Sequence, residues 1–168
     1  MPSITFTAQE QQEWFAGLPT MTGACAALIT SPAGWPLLVK PNYRDHWQLP
    51  GGILEHGEPP HVGCAREVAE ELGLTISPGA LLAVSWAPPN GDRPRSFMFF
   101  VFDGGEIATD TEITLQDEEL EDYRFIDPGE LASYVPSFIA ARVRGALEAR
   151  ATGGPTAYLP RGDRWPAG

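Results

Sequence analysis

Gly52-Ile53-Leu54-Glu55-His56-Gly57-Glu58, followed seven residues later by Arg66-Glu67-Val68-Ala69-Glu70-Glu71-Leu72-Gly73-Leu74, is the stretch that decides how the rest of the chain is read. From His61 to Leu72 the apolar residues Val62, Ala65, Val68, Ala69 and Leu72 recur at helical spacing, and Gly73 stands where a C-terminal cap belongs. On that helix Glu67 lies one turn from both Glu70 and Glu71, so three carboxylates share a face, with Val62, Ala65, Ala69 and Leu72 expected on the opposite, core-facing side. Like charges at such spacings destabilise a helix by about 0.2–0.5 kcal/mol per pair. The cluster therefore calls for a solvated surface, a neutralising partner such as Arg66, or a hard cation. Magnesium suits it, because that ion takes oxygen ligands and is usually held by a few carboxylates together with substrate phosphates.

Working outward, Leu49-Pro50-Gly51-Gly52 breaks a short strand-like piece, Trp47 to Leu49, and opens a loop that runs to Pro60. Thr22 to Thr30 and Trp35 to Lys40 read as strands joined by Ser31-Pro32-Ala33-Gly34 in a hairpin. Ahead of them Thr7 and Glu10 form a capping box for a short helix that Gly17 can stop in the left-handed conformation. On the C-terminal side, Ala80 to Trp86 and Ser96 to Phe102 read as strands flanking a Pro/Gly-rich turn, and Leu120 to Ile126 as a further strand. Asp127-Pro128-Gly129-Glu130 offers a helix start, and a longer helix is expected from about Pro136 to Arg150. Residues 1–150 thus form one domain, and Ala151 to Gly168, with four glycines and three prolines, is expected to be an irregular tail.

Nine positions, Gly52, Glu58, Arg66, Glu67, Val68, Glu70, Glu71, Gly73 and Leu74, fit the consensus of the Nudix box without a gap, a chance match on the order of one in ten million at average residue usage. The sequence resembles the Nudix hydrolase family, of the MutT-like kind that cleaves nucleoside diphosphates linked to another group. The resemblance implies an α/β (α+β) fold, an α/β/α sandwich with a mixed central sheet, in which the box forms loop, helix and loop. It also implies that Glu67, Glu70 and Glu71 are metal ligands, that the Gly51 carbonyl adds one more, and that the cofactor is Mg2+, with Mn2+ as a substitute. In the family Glu58 supports the helix or reaches a metal through water, and Arg66 orients the acids. A homodimer is a further implication.

Eleven basic against twenty-two acidic side chains give a formal charge of −11 and a pI near 4.6, so the average surface repels a nucleic-acid backbone and duplex binding is disfavoured. A free nucleotide is repelled too, unless a small basic pocket or a bound cation reverses the potential locally. Cys25 and Cys64 lack metal-ligand spacing and read as reduced, buried thiols. His46, His56 and His61 are too loosely spaced for a histidine metal site. Met1 to Gly17 shows no export signal and no apolar run reaches membrane length, so a cytoplasmic protein without membrane partners is expected.

Hydrolysis of a phosphoric anhydride needs a water aimed at phosphorus and neutralisation of the charge that develops on oxygen. Glu70 is a candidate general base, and Glu118 and Glu119, ahead of the strand at Leu120, are candidates on a later loop. Lys40, Arg44, Arg93 and Arg95 are candidates for substrate phosphates, and Tyr43, Trp47 and Trp86 for stacking on a base. The expected small-molecule substrate is a nucleoside triphosphate with an ordinary or an oxidised base. ADP-ribose or a nucleotide sugar is the alternative, and a catalytically silent nucleotide sensor is the reading from another class.

Overall fold

Alternation along one strand sets the architecture. In the computed structural model, which describes residues 6–91 and 93–160, β1 (Met21–Thr30) is buried on both faces from Ala24 onward. Cys25, Ala27 and Ile29 point into one apolar cluster and Ala26 and Leu28 into the other. A strand flanked by two cores must lie between two layers of helix. Helix α2 (Pro60–Leu72) covers the first face through Cys64, Val68 and Leu72, and α3 (Ser137–Thr152) covers the second through Ile139, Ala140, Val143 and Ala146.

The sheet is mixed. Its order is β1-β4-β3-β6, where β4 (Ser96–Glu106) runs parallel to β1 and antiparallel to β3 (Leu81–Ala87), and β6 (Ala157–Pro160) runs parallel to β3. A second, two-stranded antiparallel sheet pairs β2 (Leu37–Pro41) with β5 (Leu120–Phe125). The expected sandwich of helices about a mixed sheet is therefore present, with the strands divided between two sheets.

Four local expectations are corrected. The segments around Ser31-Pro32-Ala33-Gly34 meet only at the bridge Thr30–Pro36, and then β2 pairs with β5 in the other sheet, while Leu38 and Val39 still bury themselves in the two clusters that β1 fills. Helix α1 (Ala8–Ala16) carries the expected capping box between Thr7 and Glu10, but Gly17 ends it in the right-handed region at φ −84°. On α2 the core stripe is Gly63, Cys64, Val68 and Leu72, whereas Val62 and Ala69 are exposed. Glu71 falls inside that stripe, so the acids flank the core instead of opposing it. Finally, the tail is not irregular from Ala151: α3 continues to Thr152, Gly153 caps it at φ 60°, and residues 157–160 add β6 to the open side of β3. An unpaired strand edge offered pairing that overrode a glycine- and proline-rich composition. The remainder of the expected tail, 161–168, lies outside the described residues.

The loop after β2 crosses the free edge of β1. The Gly52 carbonyl accepts from Cys25 N–H, the Pro50 carbonyl from Ala27 N–H, and Leu54 N–H donates to the Gly23 carbonyl. Gly51 adopts φ 140°, and a Cβ there would stand 2.5 Å from the Ala26 Cα and closer still to the Cys25 carbonyl oxygen. Only glycine permits this approach. Gly51→Ala is expected to cost about 2 kcal/mol or more, lowering Tm by at least about 4 °C for a chain of this size. A melt within a degree of the parent's would show that the crossing tolerates a side chain.

Candidate active site

The loop that crosses β1 meets α2 at one side chain. Arg66 spends all five of its N–H groups there: Nε and one terminal nitrogen bond both oxygens of Glu58 at 2.9 and 3.0 Å, and that nitrogen also reaches the Ile53 carbonyl at 3.3 Å. The other terminal nitrogen lies 2.9 Å from both Glu67 Oε1 and Glu70 Oε2. This fork ties Glu58 and the loop backbone to the helix, so Glu58 supports the loop. Bonds from Arg66, and then from Glu55 N–H, hold the Glu58 carboxyl down to about 2, and Glu58 in turn raises the guanidinium's pKa.

The three helix acids sit at graded depth. Glu71 is 4% exposed and accepts a 2.7 Å bond from Gly51 N–H. Burial pushes its carboxyl up to about 8 against that hydrogen bond, with Glu67 and Glu119 adding repulsion. Glu67 is also raised by burial, which outweighs its contact with Arg66. Glu70 has half of its side chain in solvent. Gly52 backs on to Glu67 so closely that a Cβ would come within 2.6 Å of all three carboxylate atoms.

The loop at 114–119 closes the far side. Thr114 N–H and Gln116 N–H donate to the Leu72 and Glu71 carbonyls, and the Glu118 and Glu119 carbonyls accept from Asn42. Of the two candidate loop acids, Glu119 is the one whose charge acts on Glu67 and Glu71. Both cysteines are free and buried, with thiols pushed up to about 12 chiefly by burial, which leaves them inert.

Hard carboxylate oxygens and a buried Glu71 with no ion pair among the described residues are a donor set suited to a divalent cation. In the arrangement seen, Arg66 holds Glu67 and Glu70, and among the described residues no three His, Cys, Asp or Glu side chains are gathered tightly enough to hold an ion. A cation at this place would compete with Arg66 for the two outer acids.

On the α3 side of the same β1 edge lies a cavity of about 280 Å3. Gly51 and Gly52 line the end nearest the acids, and Phe97, Phe99 and Phe138 provide aromatic walls. Arg44, Arg93 and Arg142 also line it, with guanidinium carbons 5.4 Å from the Phe97 ring centre for Arg93 and 3.8 Å from that of Phe99 for Arg142. Of the candidate substrate residues, Arg44, Arg93 and Tyr43 reach this cavity. Lys40 is paired with Glu121 at 2.9 Å, Trp47 packs edge-on against Tyr134, Arg95 is exposed and does not line the cavity, and Trp86 borders an adjoining depression. Phe97, Phe99, Phe138 and Arg142 had no signal in the sequence beyond strand and helix patterning.

The profile of the Nudix domain family matches residues 20–145. The chain belongs to the Nudix family. As a Nudix hydrolase it acts on phosphoric anhydrides. It is similar to a MutT-like protein of Streptomyces ambofaciens, 28% identical over 134 residues that span 77% of this chain and 79% of that one. Over 90 residues it is 36% identical to diphosphoinositol polyphosphate phosphohydrolase 2 of Rattus norvegicus, spanning 53% of this chain and 49% of the relative. Among solved structures, the MutT protein of Methanosarcina mazei Go1 superposes with a TM-score of 0.64 at 25% identity, covering 80% of this chain and 96% of that one. No described helix of this Nudix hydrolase is long and apolar enough to cross a membrane.

The buried acid has a thermodynamic signature. With its folded pKa raised from 4.5 to about 8, Glu71 contributes stability that is complete below 4.5 and is lost as pH climbs toward 8, because the unfolded chain ionises first. His46, lowered mainly by burial, acts in the opposite direction in the lower part of that window. In chelator the parent should therefore lose more unfolding free energy between pH 5.5 and 8 than Glu71→Gln, by at most about 1.4 kcal/mol per pH unit for one proton, and its Tm should fall further accordingly. Added Mg2+ should raise Tm more at pH 8 than at pH 5.5. Parallel melting profiles for parent and Glu71→Gln would disprove the burial of a titrating carboxylate.

Proposed function

We propose that this Nudix hydrolase is a Mg2+-dependent pyrophosphohydrolase of nucleoside triphosphates, with an ordinary or an oxidised base. The observation that carries this reading is the continuity of the acid cluster with an aromatic, arginine-lined cavity through Gly51 and Gly52. Stacking on an aromatic wall is worth about 1–3 kcal/mol per base. A volume of about 280 Å3 suits the base and sugar of one nucleotide, with the phosphates lying over the β1 edge toward the box. Arg44, Arg93 and Arg142 reverse the sign of the potential where the average surface, at −11, would repel the substrate.

In the reaction a water oxygen bonds to phosphorus as the bridging P–O bond breaks, and the leaving phosphate keeps the bonding pair. Glu67, Glu70 and Glu71 would hold the metal, with the Gly51 carbonyl beside them. Bound there, it would supply charge neutralisation on the phosphoryl oxygens and an acidified water. Glu70, the helix acid that faces solvent, is assigned as the general base, since Glu71 is sealed behind Gly51 and Glu67 lies against Gly52. Glu119 adds charge from the facing loop and raises the basicity of Glu67 and Glu71. Arg66 fixes the acids, and Glu58 fixes the loop.

Chromatographic analysis of the products formed in Mg2+ from a panel of nucleoside triphosphates (a monophosphate and pyrophosphate), ADP-ribose and nucleotide sugars (two phosphomonoesters) tests the reading. Glu70→Gln is expected to lower turnover at least about a hundredfold, the scale of a lost positioned proton acceptor. Glu118→Gln should resemble the parent, and Glu119→Gln should fall between the two. Turnover of ADP-ribose with none of any triphosphate would overturn the substrate class. Nucleotide binding without turnover of any panel member would make the chain a sensor, and a Glu119→Gln loss as large as that of Glu70→Gln would move the base to the loop.

A further inference from the structure

The segment that follows β2, residues 42–46, has one end on the acid side of the site and its next residues in the cavity wall. Asn42 fastens the first end: its backbone N–H donates to the Glu119 carbonyl at 2.9 Å and its side-chain amide to the Glu118 carbonyl at 2.7 Å. Tyr43 and Arg44 then line the 280 Å3 cavity together with Gly51 and Gly52. Tyr43 shows how near this place is to the acids. Burial chiefly raises its phenol, and the charges of Glu119, Glu71 and Glu67 add to the rise while Arg44 opposes it. The segment therefore spans the joint between the carboxylate cluster and the cavity.

Of the cations near this joint, Lys40 is already committed. Its ammonium donates to the Pro41 and Arg44 carbonyls and pairs with Glu121, so it shapes the segment. In the cavity, Arg93 donates to the Pro88 carbonyl and Arg142 to Ser85 Oγ, and each lies against a phenylalanine ring. Arg44 differs from all three. Among the described residues no ion pair or side-chain hydrogen bond engages its guanidinium, which lies 5.5 Å from the centre of the Tyr43 ring. In a chain of net charge −11, a planar cation with no carboxylate on it, beside a row of acids, leaves its donors to an anion.

We propose that Arg44 grips the substrate phosphate joined directly to the nucleoside, at the joint between the cavity and the acid cluster. With the nucleoside in the cavity and the outer phosphates over the acids, that first phosphate passes Arg44, and a guanidinium bonds two phosphate oxygens at once. The assignment deepens the nucleoside triphosphate reading and rests on its placement of the nucleoside. The phosphate that Arg44 holds stays on the nucleoside in the product, so the contact is measurable without metal and without turnover.

The test is an NMR titration in chelator, at one ionic strength, with adenosine, guanosine, cytidine and uridine and with the monophosphate of each. It compares the parent, Arg44→Gln, Arg44→Lys and Arg93→Gln; Arg44 is exposed, so its variants keep the fold. The readout is the nucleoside Kd divided by the monophosphate Kd, for the base that the parent binds most tightly. This ratio should fall at least about tenfold in Arg44→Gln, the scale of a lost hydrogen bond to a charged group. It should fall by a smaller factor in Arg44→Lys, which keeps the charge without the fork, and stay within about threefold of the parent in Arg93→Gln. An unchanged ratio in Arg44→Gln overturns the proposal, including the case in which nucleoside and monophosphate weaken together. An equal fall in Arg93→Gln overturns it too, because the effect would then belong to the charge of the recess as a whole. If the parent binds none of the eight compounds, the proposal falls together with the placement of the nucleoside. A parent that cleaves ADP-ribose and no triphosphate defeats the triphosphate reading alone, since AMP is a product of that reaction and the adenosine pair still supplies the ratio.

Discussion

The carboxylate of Glu71 is sealed between α2 and the loop that crosses β1, and its bond from Gly51 N–H is what the rest of the site is arranged around. An uncompensated buried carboxylate is costly enough that proteins give it a proton, a partner or a metal. Here the partner is a single backbone N–H, which satisfies one oxygen and leaves the charge itself to be met by a proton or a cation. That single bond also joins two layers. The loop is brought across the sheet edge by Gly51's backbone geometry, and α2 is held against β1 by Cys64, Val68 and Leu72, so the acid lies where both meet. The carbonyls of Glu71 and Leu72 then accept from the 114–116 backbone, which carries the third loop into the cluster.

Arg66 solves the complementary problem. Three acids within two helical turns repel one another, and an Arg with five N–H groups in a fixed fork can engage two of them while spending its other donors on Glu58 and the Ile53 carbonyl. A lysine has too few donors and no plane for this. The clamp keeps Glu67 and Glu70 on one guanidinium nitrogen, 2.9 Å from each. At the other end of the site, cation–π stacking of Arg93 and Arg142 on Phe97 and Phe99 keeps guanidinium groups beside apolar walls, so a net-negative protein lines this recess with arginines.

What could be read from the sequence follows from how local each determinant is. The α2 boundaries, the Gly73 cap, the Thr7–Glu10 capping box and the strands at β3 and β5 depend on residues a few positions apart and stand within a residue of where expected, whereas β4 starts at Ser96 as expected but runs on past Phe102 to Glu106. The face of α2 that meets the core does not: Val62 and Ala69 are as apolar as Cys64 and Val68, and the choice between them was made by the position of β1. The Ser31–Gly34 turn is formed, but the strand after it pairs with β5, a partner about eighty residues away that no local signal announces. β6 exists because β3 has an edge to offer. Among site residues, the acids and Arg66 were legible because their spacing is itself the chemistry. Phe97, Phe99, Phe138 and Arg142 were not, because a cavity wall built from two strands and a helix has no spacing in the chain.

That division explains why the box fixes a reaction without fixing a substrate. Every box acid belongs to α2 and the loop beside it, on one face of the β1 edge, whereas the cavity is assembled on the other face from β3, β4, α3 and the start of the crossing loop. The two halves meet at Gly51, Gly52, Ile53 and the strand between them. Changes at Arg142, Phe99 or Ser85 leave the Gly51–Glu71 bond and the Arg66 fork untouched, since none of these residues contacts Arg66 or Glu71 among the described hydrogen bonds and ion pairs. The sheet thus separates the two sets of residues: the box acids and Arg66 lie on one side of a strand, and the arginine- and phenylalanine-lined cavity lies on the other.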